Sequence, residues 1–195
     1  MRLGIYGGTF DPIHVGHLIL AEACREACAL DVVWLVVAGS PPHKPGARTP
    51  VADRLEMARL AAAGNTAFEV SEVEAAGPGP HYSYQTLGEI AAQRPSDELF
   101  FLIGADSLLD LPNWRSPRKL ASLATLVVAN RQGFEVPEPP DLGPNAKPII
   151  HVSIPPIGIA SHDLRRRVAE GLSIRYQVPR GVEAYIRSQG LYRGA

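Results

Sequence analysis

Thiols are scarce in this chain of 195 residues, which holds only Cys24 and Cys28. Their spacing of four within an apparent helix puts both side chains on one face, where they read as small buried apolar residues rather than a redox or metal pair. Long apolar runs are missing too. The longest, Val32 to Ala38, has seven residues, whereas roughly 20 are needed to span a bilayer, so a transmembrane anchor is excluded. Glycines interrupt the N-terminus before a signal-peptide core could develop, so the mature chain is expected to start at Met1, in the cytoplasm. Excess charge of either sign is also lacking: 19 Lys and Arg face 20 Asp and Glu, for a net charge of -1. No whole-molecule field attracts nucleic acid or anionic lipid, and any anion site must be local. What the chain does have is 46% apolar, 20% charged and 7% aromatic residues, an ordinary globular composition that must build a core. Its length suits one α/β domain.

Apolar segments alternate with stretches of helical periodicity. Strands are expected at 2–6, 32–38, 68–70, 99–103, 123–129 and 149–154, and helices at 16–29, 50–63, 83–93, 116–121, 161–170 and 181–188. Strands alternating with helices predict a Rossmann-like, doubly wound, mostly parallel sheet covered on both faces, with ligands beyond the carboxyl ends of the strands. Residues 132–148, with five prolines and two glycines, resist both helix and ladder and read as a surface excursion, a connector or a lid. No internal repeat is present.

The most informative stretch follows the first strand: Gly7-Gly8-Thr9-Phe10-Asp11-Pro12-Ile13-His14-Val15-Gly16-His17. Glycines let the backbone turn sharply and approach a ligand, and the helix that follows presents amides and a positive dipole end, which together make an anion cradle. The spacing of His14 and His17 aims both rings at one point near that terminus, where they can donate to phosphate oxygens. The glycines form neither a Walker loop nor a GxGxxG fingerprint. A satisfied helix start and a two-histidine metal site are the competing readings; the latter lacks an evident third ligand.

Gly7 to Pro12 with His14-Val15-Gly16-His17 resembles the HxGH nucleotidyltransferases, and specifically the bacterial nicotinate-mononucleotide adenylyltransferase family. The likeness extends through Pro41-Pro42-His43-Lys44, Gly104-Ala105-Asp106-Ser107-Leu108, Trp114, Val127 to Arg131, and Ser173 to Pro179, all in the family's order. It implies a single nucleotidyltransferase domain over 1–195 that moves AMP from ATP to nicotinate mononucleotide, with Mg²⁺ carried on the triphosphate and no dedicated metal site. By the same resemblance, His14, His17, Lys44 and Arg165 are the catalytic candidates. Gly7, Gly8, Thr9, Phe10, Asp106, Arg131, Ser161 and His162 fall to ATP, and Tyr82, Ser83 and Trp114 to the mononucleotide.

For several of these a plainer reading stands beside the functional one. Lys44 follows the second strand and is either a phosphate contact or a solvated loop cation. Trp114 either stacks on the pyridine or packs in the core. Arg131 and Arg165, as exposed arginines, rest on the resemblance alone. Ser83 stands where the family's Tyr-Thr-x-Asp-Thr-Leu has its Thr, and acid-over-amide preference is expected from donors around Ser83 and Trp114; Gln85 replaces the family's Asp. The family's Ile-Ser-Ser-Thr-x-Ile-Arg appears as Ile159-Ala160-Ser161-His162-Asp163-Leu164-Arg165. Ser161 is expected to cap the next helix, and His162 either replaces a lost hydroxyl donor or faces solvent. Ser173 to Pro179 reads as structural, with Arg175 and Tyr176 bracing the helix that starts at Ser161. The alternatives are pantetheine-phosphate adenylyltransferase, against which Trp114, the Pro-Pro-His-Lys segment and the length weigh, and a nucleotide-binding regulator that has lost catalysis. Nothing in the sequence specifies an oligomeric state.

Overall fold

The computed structural model describes residues 1–39, 49–75, 79–131 and 140–193. Six strands, β1 (Arg2–Gly8), β2 (Val32–Val37), β3 (Phe68–Ser71), β4 (Glu98–Gly104), β5 (Thr125–Arg131) and β6 (Ile149–Ile154), form one sheet in the order β3-β2-β1-β4-β5-β6. Every pairing is parallel. The helices are α1 (Val15–Ala27), α2 (Val51–Ala62), α3 (Ser83–Gln93), α4 (Ala105–Asp110), α5 (Pro117–Leu123), α6 (Ser161–Ala169) and α7 (Arg180–Ser188). The central strands are apolar on both sides because both faces are covered. Leu35, Phe100, Leu102 and Val127 bury toward α1, α2, α6 and α7, whereas Leu3, Ile5, Phe101 and Val128 bury toward α3, α4 and α5. Cys24 and Cys28 are free and buried in the first of these layers, and burial pushes the Cys24 thiol up to about 12. No helix among the described residues is long and apolar enough to cross a membrane.

The expected helices and strands are all present, with ends shifted by one or two residues. Missing from the sequence reading are α4 and the 3-10 turn Leu111–Asn113 that follows it. Six residues between Gly104 and a turn holding Pro112 are too few to establish a helical period. Of the proline-rich excursion, residues 140–148 are sewn to α5. Lys147 donates its N–H to the Ala121 carbonyl at 2.9 Å and its ammonium to the Leu123 carbonyl at 3.0 Å, while Leu142 is buried. Residues 132–139 lie outside the described residues.

Strand order reverses direction between β1 and β4, so the chains leaving their carboxyl ends diverge and open a crevice there. One side chain behind that crevice governs its shape. Arg54 on α2 is 1% exposed, yet among the described residues its guanidinium donates only to backbone carbonyls: Thr9 at 2.9 Å, Ala38 at 2.6 Å, Gly39 at 3.2 Å and Thr49 at 3.2 Å. Burial pushes its pKa down, and the neighbouring Asp11 opposes that shift. Arg54 thus ties the loops after β1 and β2 to each other and to the start of α2. Arg54→Met keeps the stem but strands those acceptors; it should destabilise the protein by about 2–4 kcal/mol. Urea unfolding measures this, and a loss below about 1 kcal/mol would deny Arg54 that tying role.

Candidate active site

A cleft of about 1070 Å³ lies at the carboxyl ends of β1 and β4. Gly7, Gly8, Thr9, Phe10, His14, His17, Tyr82, Ser83, Asp106, Trp114, Ser161, His162 and Arg165 all line it, as do the sequence-unforeseen Asp11, Glu74, His81, Asp110 and Arg115. Lys44, with the rest of Pro41 to Lys44, lies outside the described residues. Arg131 ends β5, and its side chain is likewise outside the described part.

The turn between β1 and α1 is shaped by two close approaches. Phe10 takes a left-handed conformation, φ 50°, folding its ring back so that a Cβ on Gly8 would stand 2.7 Å from it. The ring is 2% exposed and meets His17 edge-on at 5.1 Å, so any contact of Phe10 with a nucleotide falls to its backbone. Gly16 serves the histidines in the same way. A Cβ there would stand 3.1 Å from the His14 ring and 3.3 Å from Ile157, so glycine inside His-x-Gly-His lets that ring lie close over the helix start.

His14 is the N-cap residue of α1, and its N–H donates to Nδ1 of His17 at 3.2 Å. That bond places the proton of a neutral His17 on Nε2. The rings stack, with centroids 3.7 Å apart and planes at 23°. His14 is 6% exposed, and its Nδ1 is buried with no partner among the described residues. Burial pushes its pKa down to about 4, so the ring is neutral near pH 7. A neutral imidazole stacked on another avoids like-charge repulsion at the helix start and keeps an N–H to donate.

The turn's carbonyls are held from behind. Arg165 donates to the Asp11 carbonyl at 2.6 Å and the Ser161 hydroxyl to the Pro12 carbonyl at 3.0 Å, while the buried Asp11 carboxylate accepts from the Tyr192 hydroxyl at 2.7 Å. Ser161 is therefore not the cap of α6. Ala160 holds that position, because the Ser161 hydroxyl is drawn to Pro12. Nor do Arg175 and Tyr176 brace α6: Tyr176 is 87% exposed and Arg175 lies 3.6 Å from Glu183 on α7. The brace runs the other way, from Arg167 of α6 to the Ser173 carbonyl at 2.8 Å, and the Gln177 carbonyl accepts the first α1 amide, Val15 N–H. The His162 side chain is 73% exposed, 3.5 Å from Asp163.

At the other end of the cleft, Trp114 is half-buried. Its indole N–H donates to Asp110 at 3.1 Å and its ring meets Phe101 edge-on at 6.3 Å, so one edge is fixed while the residue still lines the cleft. Tyr82 and Ser83 start α3 beside it. Glu74 accepts from the Thr86 hydroxyl at 2.6 Å, and burial raises its pKa. Nδ1 of His81 is buried without a partner among the described residues. Among those residues no three His, Cys, Asp or Glu side chains converge on a metal position.

This arrangement defines a class: a parallel sheet of Rossmann type with an imidazole pair at its switch point. Residues 5–167 match the family described as cytidylyltransferase-like. A relative from Thermomicrobium roseum is 50% identical over 98% of this chain and 92% of its own. One from Thermus thermophilus is 45% identical over 99% of this chain and its own full length. Both carry the name "Probable nicotinate-nucleotide adenylyltransferase". The chain belongs to the nicotinate-nucleotide adenylyltransferases within the cytidylyltransferase-like family. The fold is that of the Plasmodium falciparum nicotinic acid mononucleotide adenylyltransferase complexed with NaAD: TM-score 0.80 and 20% identity over 98% of this chain and 97% of that one.

The depressed pKa of His14 has a consequence for stability. Its folded value lies below the usual 6.5, so the folded state resists protonation, and the stabilisation is present above about pH 6.5 and lost as pH falls toward 4. Denaturation of the nucleotide-free protein should show falling stability across that window, with a shallower fall in His14→Gln. Parallel curves for parent and variant would refute this.

Proposed function

We propose that this chain is one catalytic unit that transfers the AMP moiety of ATP to nicotinate mononucleotide, giving nicotinate adenine dinucleotide and pyrophosphate. A cytoplasmic location, where ATP is abundant, fits that reading. The observation that carries it is the stacked His14–His17 pair at the start of α1, opening on a cleft with room for two substrates. A phosphate oxygen of the mononucleotide attacks the α-phosphorus of ATP; the new P–O bond forms as the bond from the α-phosphorus to the β-bridging oxygen breaks, and pyrophosphate carries away the electron pair. The attacking phosphate is already ionised, so no enzyme nucleophile or base is required. What remains for the protein is alignment and neutralisation of charge.

His17, with its proton on Nε2, donates to the oxygens that gain charge, and neutral His14 supports it. Gly7, Gly8, Thr9 and the Phe10 backbone follow the triphosphate, and the first turn of α6 with His162 and Arg165 completes that end. Asp106 accepts from ribose hydroxyls, and Arg131 contacts the nucleotide from the end of β5. Lys44 meets a substrate phosphate. Magnesium belongs to the substrate, travelling on the triphosphate. At the far end Trp114 stacks on the pyridine, with Tyr82 and Ser83 beside it.

Pyrophosphate release with ATP and each acceptor tests the assignment. Turnover is expected with nicotinate mononucleotide and not with phosphopantetheine; nucleotide binding without release would favour a regulator. His17→Ala should lower kcat on the order of 10²- to 10³-fold at saturating substrates. Unchanged turnover in that variant would remove His17 from the chemistry.

A further inference from the structure

The cleft has two chemically different ends. His14, His17, His162 and Arg165 gather where α1 and α6 begin, whereas Glu74, Tyr82, Ser83, Asp106, Asp110 and Trp114 line the end built by α3 and α4. A carboxylate-bearing acceptor therefore approaches a wall that contributes three carboxylates of its own, Glu74, Asp106 and Asp110. Among the described residues, one Lys or Arg stands at that end: Arg115, next to Trp114. Its guanidinium carbon lies 5.2 Å from the centre of the Tyr82 ring, a cation–π contact that holds an exposed side chain against another residue of the cleft lining. Arg115 forms no ion pair among the described residues.

Hydroxyl donation at Ser83 discriminates poorly between nicotinate and nicotinamide, since a carboxamide oxygen accepts such a bond as a carboxylate oxygen does. Charge discriminates better. A guanidinium offers paired donors that match a carboxylate, whereas a carboxamide meets them with its own NH₂ donors.

We infer that Arg115 is a specificity-determining residue, selecting the mononucleotide by the charge on its pyridine substituent while the ring lies against Trp114. This rests on the acceptor assignment above. The Tyr82 ring serves as the perch from which the guanidinium reaches the carboxylate.

The test measures kcat and KM for nicotinate and nicotinamide mononucleotides at saturating ATP, in the parent, Arg115→Met and Arg115→Lys. In Arg115→Met the acid-to-amide ratio of kcat/KM should fall about tenfold or more, carried by a raised KM for the acid. Arg115→Lys, which keeps the charge but not the fork, should recover part of the ratio. An unchanged ratio in Arg115→Met, or equal losses with both mononucleotides, overturns the inference. A parent protein inactive with both overturns the acceptor assignment and the inference with it.

Discussion

A polyanion can approach a backbone turn closely only if the turn's carbonyl oxygens point elsewhere, because each carries a partial negative charge that would repel it. Here three of those oxygens are claimed by donors from distant parts of the chain: Thr9 by Arg54, Asp11 by Arg165 and Pro12 by Ser161. With the acceptors so occupied, the glycine-rich turn can offer its positive side to the cleft. The fold exists in this sense to bring α2 and α6 behind one loop. Arg165 both holds the Asp11 carbonyl with one guanidinium nitrogen and lines the cleft. Replacing it would remove a positive charge from the site and release part of the turn at once.

The histidine pair shows how packing sets chemistry. Two imidazoles stacked at 3.7 Å could not both be charged without strong repulsion, and burial resolves this by keeping His14 neutral. Gly16 gives its ring the room to lie there, and the Phe10 ring meets His17 in a T-shaped contact. The motif thus encodes more than two donors at a convenient spacing: its glycine and the left-handed residue upstream are the reasons the rings share one orientation.

Much of this was legible beforehand, since strands buried on both faces read as continuous apolar runs and the first turn concentrates its chemistry within eleven residues. What escaped was whatever depends on the far side of a helix or on a tertiary meeting. Arg54 looks like a solvated helical arginine, yet it shares its phase with Ala58 and Ala61, both buried. An arginine on the apolar stripe of a helix is the signal that could have found it. Tyr192 and Asp11 meet across 181 residues, which no local pattern announces. Ser161 departs from the expected cap for a related reason. Its hydroxyl had two acceptable fates, and only the position of Pro12 in space decided between them.

That last point bears on the altered phosphate motif. Losing the family's first serine and its threonine to Ala160 and His162 costs hydroxyls, but neither loss unhooks α6 from the first turn, since Ser161 and Arg165 supply both bonds that fasten it. His162 stands mostly in solvent beside Asp163 and also lines a second hollow with Thr49, Arg166 and Tyr192. The departure therefore changes the donors at the start of α6, while the scaffold that aims the helix, held by Ser161 and Arg165, stays in place.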